Sequence, residues 1–204
     1  MRACLKMKKG AAAKGLLEKL LFLLPLIGAL GLAHGEDTSA VKTNLVNLRS
    51  AGKLEVLTPR DWTMTFTNVS LPDNPVQVEF HAPSNSVVLR IDLRWDGFNG
   101  RPGRVAPADM ERMVSNNIVV QYLPRLVETN VTLEKLTGPD VSGVYARITD
   151  AKWSPLRVND YPNIAEGMFR SRNIVGNFDM LTFGKDGPGF KAGLKILQSV
   201  RRTP

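Results

Sequence analysis

VQVEFHAPSNSVVLRIDLRW, residues 76–95, decides the fold. Val76, Val78 and Phe80 alternate with Gln77, Glu79 and His81, and Leu89, Ile91, Leu93 and Trp95 alternate with Arg90, Asp92 and Arg94. Alternation with period two puts one face of each segment in a core and the other toward polar surroundings, as in half-buried antiparallel strands. Pro83-Ser84-Asn85-Ser86 supplies turn chemistry between them. If all the apolar side chains share one face of a hairpin, Phe80 falls opposite Leu89 and Glu79 opposite Arg90. Each such cross-strand pair contributes a fraction of a kcal/mol, roughly 0.2–1.

Toward the N-terminus, Met64 and Phe66 alternate with Thr63, Thr65 and Thr67, which predicts another strand after the turn Thr58-Pro59-Arg60-Asp61. Residues 36–53 are polar and weakly patterned; Leu45, Val46 and Leu48 suit a short helix or an ordered arm leading into a domain at 54–204. Toward the C-terminus, a glycine- and proline-rich loop (97–106) precedes a predicted helix. Pro107 stands where a first-turn proline is tolerated, Asp109 and Glu111 suit the positive helix end, and Met110, Met113, Val114, Ile118 and Tyr122 share one face. Pro124 ends it.

Strand-like stretches follow at 131–136, 143–149 and 166–183, the last with Gly176 as its turn or bulge. Between the second and third lies an irregular loop holding Trp153 and Tyr161. Gly187-Pro188-Gly189 opens a final helix with Phe190, Leu194, Leu197 and Val200 as its apolar stripe, and Arg201 and Arg202 beside its negative C-terminal end. The order β-β-β-α-β-β-β-α predicts an α+β fold, a mostly antiparallel sheet covered by two helices.

Residues 1–35 read as a signal peptide rather than as part of that fold. Arg2, Lys6, Lys8, Lys9 and Lys14 form a basic leader, 20–33 (LLFLLPLIGALGLA) carry no charge, and Ala33 and Gly35 offer a small-residue cleavage site. The run is shorter than the ~20 apolar residues a membrane-crossing helix needs, so no stable span is expected after cleavage. The expectation is a secreted protein, placed in a bacterial periplasm. The full chain has a formal charge of +8. Without the leader it has 21 Lys and Arg against 18 Asp and Glu, or +3. A nucleic-acid-binding domain keeps its basic charge in the folded part, so no nucleic-acid partner is expected. Cys4 is the single cysteine and leaves with the leader, which removes disulfides, thiol nucleophiles and thiolate metal sites.

Three phrases carry a family likeness: Pro59-Arg60-Asp61-Trp62 after an early strand, LTGPDVSGVY at Leu136–Tyr145 after the amphipathic helix, and GMFRSRNIVGNFDMLTF at Gly167–Phe183 before the terminal helix. Over residues 54–202 the chain resembles the PsbP-like family, named for an extrinsic subunit of photosystem II, whose bacterial relatives are mostly secreted and uncharacterised. The resemblance implies an α-β-α sandwich that binds or assists other proteins and has no shared catalytic set. It carries over no functional residue and implies no photosynthetic role.

The catalytic inventory is thin. With the leader cleaved after Gly35, His81 is the one histidine left; Ser84 or Ser86 as nucleophile and Asp92 as orienter would complete a triad, but at a strand end beside a turn these residues read as surface chemistry. Metal sites need more nitrogen or sulfur donors than remain, and no metal or other cofactor is expected. Carboxylate pairs, Glu166 with Asp179 or Asp92 with Asp96, are nominal acid–base candidates. Gly184 to Gly189 precedes a helix but lacks the phosphate-loop pattern. For binding, Arg170 and Arg172 read as one face of a strand, and Arg147 and Arg157 flank the loop with Trp153 and Tyr161; Arg, Trp and Tyr are the residues binding hot spots favour.

The expected function is a non-enzymatic binding or accessory domain acting through contacts with another exported or envelope protein. The alternatives are an extracytoplasmic hydrolase using carboxylates or His81, and a carrier of a small apolar ligand lined by Met110, Met113, Met168 and Met180.

Overall fold

The computed structural model describes residues 40–48, 51–67, 75–95, 105–157 and 159–203. The elements in order are β1 (Val41–Asn47), β2 (Lys53–Pro59), β3 (Thr63–Thr67), β4 (Val76–His81), β5 (Val87–Trp95), α1 (Pro107–Tyr122), β6 (Leu133–Thr137), β7 (Ser142–Thr149), β8 (Asn163–Ser171), β9 (Ile174–Thr182), α2 (Pro188–Gln198) and β10 (Arg201–Thr203). The leader at 1–35, most of the loop at 97–106, and Asp96 lie outside the described residues.

The register expected for the deciding hairpin is the one formed. Phe80 pairs with Leu89 and Glu79 with Arg90 across β4 and β5, and Arg90 Nε donates to Glu79 Oε1 at 2.9 Å. From this hairpin a seven-stranded antiparallel sheet grows in the order β3-β4-β5-β9-β8-β7-β6.

Strand alternation then sorts the side chains into two cores. On one face Met110, Val114 and Ile118 of α1 pack on Val144, Ala146, Ile148, Ile164, Met168 and Val175. On the other, Phe80, Leu89, Phe169, Phe178 and Met180 meet Phe190, Ile196 and Leu197 of α2. Removing one such side chain from water is worth roughly 1.5–3 kcal/mol. The result is an α+β sandwich with one helix on each face of the large sheet. No helix among the described residues is long and apolar enough to cross a membrane.

Three expectations need correction. Residues 36–53 hold a strand instead of a helix or arm: β1 pairs antiparallel with β2, and β10 takes the other edge of β2. Val46, Leu48, Leu54 and Val56 of this three-stranded sheet join the α2 core, so the polar composition of β1 reflects one wet face. Arg201 and Arg202 belong to β10, and Arg201 is ion-paired with Glu55 instead of facing the end of α2. The 166–183 stretch turns at Arg172 and Asn173, where Arg172 takes φ 55°. Gly176 lies within β9 opposite Phe169, and a Cβ there would run into the Phe169 ring. Its lack of a side chain is a packing requirement, not a turn signal.

Candidate functional site

The six residues singled out for binding end up in different places. Arg147, on β7, is fully engaged: its guanidinium donates to Glu134 and to Asp186 and lies 5.6 Å from the Phe190 ring centroid. Tyr161 is buried, its ring 4.9 Å from that of Phe183 and its hydroxyl donating to the Asn85 carbonyl at 2.8 Å. It ties the 150–162 loop to the β4–β5 turn and offers no contact surface. Trp153 is half-buried, with Nε1 donating to the Asp160 carbonyl at 3.3 Å. Arg157 is exposed and stands 3.8 Å from Asp160. Arg147 and Arg157 thus do not frame an aromatic platform, because Trp153 and Tyr161 are holding the loop in place.

Arg170 and Arg172 come together by another route than a shared strand face. Arg170 is the last residue but one of β8, and Arg172 is in the tight turn to β9. Both line an open groove of about 810 Å³, together with Pro139, Asp140 and Val141 of the β6–β7 turn, Ser142 at the start of β7, Asn173 and Arg202. Arg202 is fixed there by donating to Asn173 Oδ1 at 2.6 Å. Arg170 and Arg172 make no ion pair among the described residues. Three guanidiniums therefore face one groove with a single carboxylate, Asp140, among its lining groups. Sequence reasoning missed Arg202, since only the β10–β2 pairing brings it across.

The β4–β5–β9–β8 face beside α1 forms a second, smaller recess. A cleft of about 210 Å³ is walled by Gln77 and Glu79 of β4, Arg90 and Asp92 of β5, Asn177 and Asp179 of β9, Glu166 of β8, and Asn117 and Gln121 of α1. Asp179 lies between Arg90 and Glu166 in the sheet, directly opposite each. Burial, with the Asp179 charge beside it, pushes the Glu166 carboxyl up to about 7 against a hydrogen bond from Asn117 that favours its ionised form. Asp179 is also raised, by burial and then by Asp92, with Arg90 opposing. Glu166 is only 6 % exposed, and among the described residues its Oε2 has no hydrogen-bond partner; neither has Asn177 Oδ1. The Glu166–Asp179 pair named from sequence is thus a real neighbourhood, while Asp96 of the other pair lies outside the described residues.

Among the described residues no hydrogen bond joins His81 to Ser84, Ser86 or Asp92: the His81 ring nitrogen meets Glu79 Oε2 at 3.2 Å, the Ser86 hydroxyl donates to the Pro83 carbonyl, and Asp92 lies between Gln77 and Asn177 in the strand register. The four methionines do not line one cavity either. Met110 and Met168 belong to the α1 core, Met180 to the α2 core across the sheet, and Met113 is exposed. In the 184–189 loop Asp186 is an ion-pair partner of Arg147.

No protein-family model matches the chain, and no curated protein matches it. Among solved structures, the fold resembles the solution structure of cyanobacterial PsbP (CyanoP) from Synechocystis sp. PCC 6803. The TM-score is 0.45 at 15% sequence identity, covering 86% of this chain and 100% of that chain.

Proposed function

We propose that this chain is an exported, non-enzymatic binding domain that holds an acidic segment of another exported or envelope protein in the Arg170–Arg172–Arg202 groove. The observation that carries the reading is the convergence of three guanidiniums on one open groove, none of them in an ion pair among the described residues, with Arg202 held only by the Asn173 amide. A guanidinium presents a rigid fork of donors that matches a carboxylate, and clusters of them are a recurring means of gripping acidic motifs. Export is supported by the basic leader and the uncharged run of 20–33.

The test is calorimetric titration of the purified protein with a hexaglutamate peptide at low salt. Saturable binding that weakens at least about tenfold in R170E/R172E is expected, as charge-assisted contacts dominate such an interface. No binding, or equal binding by the variant, overturns the reading. Turnover of generic ester, glycoside or phosphate substrates that disappears in H81A or E166Q would replace it with the hydrolase.

A further inference from the structure

The carboxylate cleft calls for an occupant of different chemistry from the arginine groove. Four carboxyls, those of Glu79, Asp92, Glu166 and Asp179, share it with one guanidinium, Arg90. Arg90 is ion-paired with Glu79 at the outer end, and Glu79 also meets His81. That leaves Asp92, Asp179 and Glu166 as an acidic inner wall, with the side-chain amides of Asn117 and Gln121 contributed by α1. Tyr122, also on α1, has its hydroxyl pKa raised, by burial first and then by Asp179 and Glu166.

Two buried acceptors in this wall find no donor among the described residues: Glu166 Oε2 and Asn177 Oδ1. A buried acceptor without a donor is costly, and a donor-rich cation removes that cost. We propose that this cleft binds a small organic cation whose ammonium group sits between the Glu166 and Asp179 carboxylates and donates to the unpartnered Glu166 oxygen.

The ligand is small because about 210 Å³ falls below the ~300–1,000 Å³ typical of drug-sized ligand sites. It is an organic ammonium because the lining offers carboxylates and amide oxygens spread along a wall, and the described residues hold no group of three or more metal-ligating side chains converging on one point. The amides of Gln77, Asn117, Gln121 and Asn177 supply the neutral acceptors that a second amino or hydroxyl group of the ligand would use.

The experiment is calorimetric titration of the full chain with 1,4-diaminobutane, with 1,4-butanediol as its uncharged counterpart. The diamine binds and the diol does not. Since the Glu166 carboxyl titrates at about 7, affinity falls about tenfold from about pH 8 to about pH 6, and E166Q loses both the affinity and that pH dependence. A readout that needs no variant is the side-chain carboxyl 13C resonance of Glu166 in the wild-type protein. Its titration midpoint moves down by about one pH unit or more under saturating diamine. An unmoved midpoint, equal binding of the diol, or Ca2+ binding with the diamine inert each overturns the proposal.

Discussion

Glu166 on β8 lies directly opposite Asp179 on β9, beneath the flank of α1, so two carboxyls share a recess where both have raised pKa values. This arrangement makes folding stability depend on pH with a sign opposite to that of most carboxylates. The native state holds the Glu166 proton up to about pH 7, whereas the unfolded chain releases it near the ordinary value of about 4.3. Between these values the native state binds more protons, so the Glu166 contribution is fully present below the lower value and is lost as pH rises through the upper one. The loss is at most about 4 kcal/mol. Thermal unfolding across about pH 4 to 8 is expected to show E166Q gaining on the wild type as pH rises. Parallel curves for the two proteins would contradict the shift.

Glu128 behaves the other way. Burial works against its charge, but hydrogen bonds from Lys185 and from the side chain and backbone of Thr149 hold the carboxyl at about 2. Its folded pKa lies below the unfolded one, so its stabilisation is present above the ordinary carboxylate range and is lost as pH falls through about 2. E128Q is expected to be less stable than wild type near neutrality, by about 1 kcal/mol. In urea titrations the difference should close toward about pH 3.

Gly176→Ala is expected to destabilise the protein by about 2 kcal/mol, the usual scale of overpacking. The new Cβ would meet the Phe169 ring, which fills the space above the glycine. In F169L the smaller side chain should absorb part of that cost, so a double-mutant cycle would return a coupling of about 1 kcal/mol or more. Additive effects would mean that the ring does not press on this position.

Arg147 and Arg170 are both arginines on neighbouring strands, yet they should fail in different ways. R147A removes ion pairs with Glu134 and Asp186 and the contact with Phe190, and should lower stability by about 1 kcal/mol while leaving hexaglutamate binding unchanged. R170A should weaken peptide binding and leave the unfolding free energy within about half a kcal/mol. Paired denaturation and titration curves for both variants separate the two roles.

What could be read from the residues alone follows from where alternation is clean. In β4 and β5 one face is dry and the other wet, so the Phe80–Leu89 and Glu79–Arg90 register was legible. In β8 the α1 core takes Ile164 and Met168 while the α2 core takes Ala165 and Phe169. With both faces covered, period-two contrast disappears, and a buried Glu166 looks like any solvated strand residue. β10 is three residues long, with two arginines, and owes its strand pairing to β2, a partner far away in the chain. Arg202 could not be placed in the groove without that pairing. Tyr161 and Trp153 looked like contact residues because they are aromatic and lie in a loop, but their polar tips are used inside the loop and on its neighbour.

The most direct test of the account is amide chemical-shift mapping by NMR during titration with the hexaglutamate peptide. Shifts concentrated at Ser142, Arg170, Arg172, Asn173 and Arg202 are predicted, diminishing as salt screens the contacts. Shifts confined to the 150–162 loop or scattered over the surface, or none at saturating peptide, would contradict it.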